Sequence, residues 1–241
     1  MRLLIWDFDG TLGYREGGMW SSALIELLHK EVPQIEASAE QFRPYLQSGF
    51  PWHSPDRPHP EIRTPEQWWD RLTPAFEAVF RSVGVDPSGA RRLAHEVRSV
   101  YADPERWRLF DDTLPTLDRL TSRGWTHALL SNHVPELRQI IEHLGLGPHL
   151  AQVFNSAETG YEKPHPRAFQ LVLEAFPDAE AVWMIGDSVR SDVTGAEALG
   201  IPALLVRGRD KRARHVCDRV SDVEAVVGGE VETREGGLTR T

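Results

Sequence analysis

Apolar positions along the chain change their spacing twice. At the start, Leu3-Leu4-Ile5-Trp6 form an uninterrupted apolar run, the pattern of a short strand buried on both faces. Trp20, Leu24, Leu27 and Leu28 then recur at helical spacing, and so do Trp68, Trp69, Leu72, Phe76, Val79, Phe80 and Val83. Thr73-Pro74 falls inside the second series as a cap and first helical residue, which predicts two helices or a kink. Asp86-Pro87 and Asp103-Pro104 carry the same signature and predict further helix starts. Between the two helical series, residues 43–65 hold six prolines and read as a long irregular loop. Trp52, His53, Arg57, His59 and Arg63 lie in that loop, where a solvated role is the simpler expectation than contact with a ligand. No strand pattern is visible between residues 13 and 106, and the glycines near 13–18 read as a hinge.

From residue 107 onward short apolar runs alternate with helical patterns. Leu114, Leu117 and Leu120 predict a helix closed by Gly124, and residues 125–130 a strand ending at Ser131-Asn132. Leu137, Ile140, Ile141 and Leu144 predict the next helix, stopped at Gly145, and Val153-Phe154 a short strand. Pro166 opens a helix through Phe169, Val172 and Leu173, and residues 181–185 form a strand ending in Gly186-Asp187. A helix over 195–199 and a strand over 203–206 follow. The alternation predicts an α/β fold, a mostly parallel sheet with helices on both faces. Residues 1–12 and 107–228 form its core, 13–106 an inserted helical domain, and 229–241, polar and glycine-bearing, a disordered tail.

With 241 residues, 40% of them apolar, the chain is long enough for such a core plus an insert. Its 27 basic and 36 acidic side chains give a formal charge of −9, which argues against nucleic-acid binding and requires a local positive site for any anionic substrate. The single cysteine, Cys217, excludes an intrachain disulfide and a thiolate zinc cluster. No signal peptide and no membrane span are visible, so a cytoplasmic protein is expected.

The chemistry concentrates where the first strand ends. In Asp7-Phe8-Asp9-Gly10-Thr11 two carboxylates stand two residues apart, and in extended backbone both would face one side. Two such charges about 4 Å apart repel by roughly 4 kcal/mol at an effective dielectric of about 20. A divalent cation, a shared proton or a splayed chain would each offset that, and an acidic turn is the plainest alternative. Ligands in open parallel sheets bind beyond the carboxyl ends of the strands. Asp7, Ser131 and Asp187 each fall at such an end, and Lys163, in Gly160-Tyr161-Glu162-Lys163-Pro164, precedes a helix at the same edge.

Together these residues fit phosphoryl transfer. Asp7 and Asp187, with a backbone carbonyl of Asp9, would hold Mg²⁺. The cation and Lys163 would cancel repulsion between carboxylates and phosphate. Asp7 would attack phosphorus, and Asp9 would protonate the leaving oxygen and then activate water. Ser131 would bind the transferring group, with Thr11 and Asn132 beside the substrate, and Asp192 would accept amide bonds or orient Lys163.

Asp7-Phe8-Asp9-Gly10-Thr11, Ser131-Asn132, Lys163-Pro164 and Gly186-Asp187-Ser188 with Ser191-Asp192 resemble, in order, the four motifs of the haloacid dehalogenase superfamily. That resemblance implies a Rossmann-like, doubly wound core, an α-helical cap of the first type inserted between motifs one and two, Mg²⁺ dependence and the roles just given. Asp9 sets the chain apart from the name-giving dehalogenases, which lack a second acid. The phosphonate-hydrolysing branch adds a cap lysine, whereas residues 13–106 contain only Lys30. A phosphatase acting on a small phosphorylated metabolite is therefore expected. A phosphomutase and an inert binding relative are the alternatives.

Overall fold

The computed structural model describes residues 1–228, so the tail expected over 229–241 lies outside the described residues. Six strands form one parallel sheet in the order β5-β4-β1-β6-β7-β8: β1 (Arg2–Trp6), β4 (Trp125–Ser131), β5 (Gln152–Asn155), β6 (Ala181–Gly186), β7 (Ala203–Val206) and β8 (His215–Cys217). The apolar runs alternate between two cores. Leu4, Trp6, Leu129, Trp183, Ile185, Leu204 and Val206 face one. Leu3, Ile5, Ala128, Leu130, Met184, Ala203 and Leu205 face the other. Both faces are covered, so the strands read as continuous apolar segments rather than half-polar ones.

Helices α5 (Thr113–Ser122), α6 (Leu137–His143), α7 (Ser156–Thr159) and α8 (Pro166–Ala175) connect the strands. Residues 189–194 wind as a π-helical turn before a last short helical turn. Strand β1 lies between β4 and β6, with Trp6 paired to Leu129 and to Ile185. The three strand ends that carry Asp7, Ser131 and Asp187 are thus neighbours.

Between β1 and β4 stand α1 (Trp20–Glu31), α2 (Ala39–Leu46), α3 (Pro65–Ser82) and α4 (Pro87–Tyr101). Alpha-helix α3 packs along α4, and α1 on α4. Their stripes, including Leu24, Leu28, Trp68, Leu72, Phe76, Phe80, Leu93 and Val97, continue one of the two sheet cores. Asp86 caps α4 by accepting from the amides of Ser88 and Gly89, as Asp-Pro predicts.

Four local expectations are corrected. A two-stranded antiparallel ribbon, β2 (Gly13–Arg15) with β3 (Trp107–Leu109), leads into and out of the helical segment. Three residues are too few to show alternation. Helix α3 continues through Pro74, so the expected division there into two helices does not occur; Trp68, Trp69 and Leu72 before it and Phe76, Val79 and Phe80 after it are all buried. Pro44 sits inside α2, exposed in its last turn, where its ring forfeits one backbone bond. Asp103-Pro104 starts only one 3₁₀ turn, 104–106, before β3 takes over. Among the described residues no helix is long and apolar enough to cross a membrane.

Candidate active site

The site is built on the end of β1. Asp7 is buried, and three donors converge on its Oδ1: the amide of Phe8 at 2.7 Å, the hydroxyl of Ser131 at 2.8 Å and Nζ of Lys163 at 2.9 Å. Charge-assisted bonds of this kind fix the carboxylate's orientation. Its Oδ2 accepts no hydrogen bond from the described residues, so it stays open to a ligand. After Asp7 the chain folds back tightly: the amides of Leu12 and Gly13 both donate to Phe8 O. Gly10 makes that turn with φ +73°, and a Cβ there would collide with the Asp187 carboxylate.

Lys163 is 1% exposed and bridges two carboxylates, Asp7 and, at 2.6 Å, Asp192. Burial opposes its charge, but Asp192 and Asp7 outweigh this and hold the ammonium above its usual value. Asn132 places the lysine's backbone, donating to Lys163 O at 2.8 Å and accepting from Lys163 N at 2.7 Å. The preceding residue, Glu162, is equally buried and pairs at 3.0 Å with His59 from the segment between α2 and α3. His59 is therefore a buried link to the lysine loop rather than the solvated residue expected. Arg57 and Arg63 are exposed as expected.

Asp187 follows β6 and is the exposed member of the cluster, while Asp192 is fully buried in the π-helical turn. That turn brings Asp192 back over β6, where its Oδ2 accepts from Ser188 N at 2.9 Å. Gly186 permits the approach, since a Cβ there would overlap the Asp192 carboxylate. One oxygen each of Asp7, Asp187 and Asp192 lie within 4.8 Å of one another. Asp9 is half-buried, with Oδ1 unpartnered. Burial, then the charges of Asp7 and Asp187, hold Asp9 well above the usual carboxylate range. Asp187 keeps an exposed edge, yet the partial desolvation of its carboxyl against the cluster raises it first, then the charges of Asp7 and Asp192; Asp192 is raised by full burial against the pull of Lys163. Four carboxylates share one ammonium here. This excess of hard oxygen donors, with Asp9 Oδ1 left over, fits a divalent cation such as Mg²⁺.

Thr11 makes no hydrogen bond to this cluster. It is fully buried, its hydroxyl has no partner, and its carbonyl accepts from Arg207 Nε at 3.1 Å. Arg207 also pairs with Asp112 at 2.6 Å, whereas Arg209 and Arg212, farther along the basic run, meet Asp218 and Asp210 on the surface.

A cavity of about 340 Å³ opens beside Asp9. Asn132, His133 and Ser191 line it from the sheet edge, and Trp20, Trp52 and Tyr101 from the helical segment. Trp68 and Trp69 are buried in the core, and Trp52, rather than being solvated as expected, packs against that core while lining the cavity. His133 was not singled out from the sequence, although it directly follows Ser131-Asn132. It is buried between the rings of Phe8 and Trp107, with Nε2 at 3.8 Å from Asp9 Oδ2, and burial pushes it down to about 4.

A parallel sheet with a lysine-bridged carboxylate cluster at adjacent strand ends defines a hydrolase-type α/β protein with a site suited to anions and a cation. The chain belongs to the haloacid dehalogenase-like hydrolases, whose family pattern matches residues 1–200. It is 36% identical over 228 residues to a phosphoserine phosphatase of Thermus thermophilus, covering 86% of this chain and 88% of that one. It is 32% identical over 159 residues to the bovine haloacid dehalogenase-like hydrolase domain-containing protein 3, covering 65% of this chain and 62% of that protein, just under two thirds of its length. Among solved structures, the HAD-hydrolase YfnB of Bacillus subtilis superposes with a TM-score of 0.70 at 19% identity, covering 94% of this chain and 98% of that one.

Proposed function

We propose that the chain is a Mg²⁺-dependent phosphatase that hydrolyses a small phosphorylated metabolite through a phosphoryl group carried on Asp7. The observation that supports this most is Asp7 itself: Oδ1 held by three donors, Oδ2 unclaimed by the described residues. A carboxylate oriented this way is placed to attack, with no reorganisation at the moment of reaction. Asp7, Asp187 and the Asp9 backbone would hold the cation, which supplies positive charge against the phosphate's oxygens. Asp192 acts through Lys163, whose ammonium it keeps charged and aimed at Asp7.

Asp7 attacks phosphorus while the bond to the leaving oxygen breaks. Asp9, kept protonated by its burial and its acidic neighbours, gives that oxygen a proton. The Asp9 carboxylate then takes a proton from water as the water attacks phosphorus, releasing phosphate and restoring Asp7. Ser131, Lys163 and backbone amides bind the phosphoryl oxygens in both steps. Residues 13–106 act as the cap of a core formed by 1–12 and 107–228, closing over the strand ends and keeping other water out.

The test is hydrolysis of an aryl phosphate by the full chain with Mg²⁺, with excess chelator, and by Asp7→Asn. Mg²⁺-dependent turnover that vanishes with chelator and in the variant is expected. Turnover by Asp7→Asn at the wild-type rate would refute the mechanism, and silence under every condition would favour an inert relative.

A further inference from the structure

Resting on the phosphatase reading, we propose that the cavity beside Asp9 selects a phosphate ester whose leaving group is uncharged and bears a hydroxyl, and that His133 Nε2 accepts the hydrogen bond from that hydroxyl. The tautomer follows from the ring's surroundings. His133 Nδ1 lies 3.4 Å from Val134 O, and a carbonyl only accepts, so Nδ1 carries the hydrogen. Nε2 then presents a lone pair. It is buried and has no hydrogen-bond partner. Asp9 Oδ2, at 3.8 Å, is beyond hydrogen-bond distance. Phe8 and Trp107 hold the imidazole from two sides, at ring separations of 5.6 and 5.0 Å, so it cannot turn toward solvent. A buried acceptor without a donor is costly, and this one belongs to a side chain of the cavity wall, where the leaving group must lie if Asp9 protonates its oxygen. A donor hydrogen on the ligand satisfies it.

The charge pattern narrows the ligand further. Among the described residues no lysine or arginine lines the cavity. The buried cations nearby are already committed: Lys163 to Asp7 and Asp192, and Arg15 to Gly18 O, Val100 O and Glu26. Arg190, next to the lining Ser191, is exposed. A second carboxylate or phosphate on the substrate would therefore enter beside Asp9 with no buried cation to meet it, a desolvation cost without return. The far wall is flat and mostly apolar. Trp20 stacks on Tyr101 with ring centres 3.6 Å apart, and Trp52 lies 6.2 Å from Trp20. Such faces suit the carbon side of a polyol or ring. Volume alone would admit phosphoserine-like or bisphosphate compounds as readily as neutral ones; the wall chemistry separates them.

Three esters on one three-carbon skeleton vary these features: glycerol 3-phosphate is neutral beyond its phosphate and carries two hydroxyls, 3-phosphoglycerate keeps the C2 hydroxyl but has a carboxylate in place of the terminal hydroxymethyl, and propyl phosphate lacks both hydroxyls. With the full chain and Mg²⁺, kcat/KM for glycerol 3-phosphate is expected to exceed that for each of the others by about tenfold or more. In His133→Phe, which keeps a ring between Phe8 and Trp107, the ratio of glycerol 3-phosphate to propyl phosphate should fall by about tenfold. His133→Gln, which keeps an acceptor oxygen, should recover part of that ratio. A merely structural role would lower all three esters alike and leave the ratio in place, overturning the assignment. Preference for 3-phosphoglycerate would overturn it too, and loss of that preference in Arg190→Ala would trace it to the exposed arginine. Turnover of none of the three overturns this inference, while failure on the aryl phosphate as well removes the phosphatase reading beneath it.

Discussion

His127 makes the stability of the protein depend on pH in a calculable way. It lies in β4, directly beside the strand that ends in Asp7, and is 2% exposed. Trp6 Nε1 donates to its Nδ1 at 3.0 Å, so that nitrogen must be unprotonated. Its Nε2 faces Leu117 O at 3.2 Å and Thr121 Oγ1 at 3.1 Å, and bonds the carbonyl as a donor. The neutral ring is thus satisfied at both nitrogens, and a second proton would set two N–H groups against each other at Trp6. Burial pushes His127 down to about 4, from 6.5 in the unfolded chain. Below pH 6.5 the unfolded chain takes up a proton that the folded chain refuses until about pH 4. Stability from this group is therefore complete above 6.5 and is lost as pH falls. The loss is about 2 kcal/mol at pH 5 and about 3 kcal/mol at pH 4. Other groups titrate in the same range: His133 in the same sense, Asp187 and Asp192 in the opposite one, since their raised carboxyls bind protons more tightly when folded. A His127→Gln variant separates the effect, because its amide can accept from Trp6 and donate to Leu117 but does not titrate. Urea unfolding of both proteins at pH 7.5, 6, 5 and 4 should show the wild type losing about 2 kcal/mol relative to the variant between pH 7.5 and 5. A constant difference across that range would refute the linkage.

Two further outcomes bear on the site. Asp9→Asn should lower kcat by about 10²- to 10⁴-fold on an alkyl phosphate and much less on a nitrophenyl phosphate, whose leaving oxygen needs little protonation; equal losses on both esters would remove Asp9 as the acid. Gly10→Ala puts a side chain at φ +73° and against the Asp187 carboxylate, so it should cost about 1 kcal/mol or more in urea unfolding and weaken Mg²⁺ binding measured by calorimetry. Unchanged Mg²⁺ affinity in a folded Gly10→Ala protein would exclude Asp187 from the cation site.

Much of the core is legible because its determinants are local. Leu3 to Trp6 alternate between two cores, and that double burial is what a continuous apolar run encodes. Asp86-Pro87 carries its own cap and helix start. The errors have equally physical origins. The β2–β3 ribbon is made by pairing across about ninety residues of chain, with only three residues on each side. Pro74 breaks a local rule that tertiary packing outweighs, and Pro44 falls in the exposed last turn of α2, where it forfeits only one backbone bond. At the site, strand-end positions single out Asp7, Ser131 and Asp187. That β4, β1 and β6 are adjacent is a property of strand order, which no local pattern carries. His133 was legible only as the neighbour of Ser131-Asn132; its setting depends on Phe8 and Trp107, far away in sequence. The His59–Glu162 pair spans 103 positions and leaves no periodic trace in either segment.

The central claim is that Asp7 carries the phosphoryl group. The most direct measurement is to mix the full chain with Mg²⁺ and a substrate ester, quench in acid during turnover, and map the phosphoryl group by peptide mass spectrometry. The expected result is an acyl phosphate on the peptide containing Asp7, absent in Asp7→Asn and without Mg²⁺. Turnover with no phosphorylated peptide, or with the group on another residue, would contradict it.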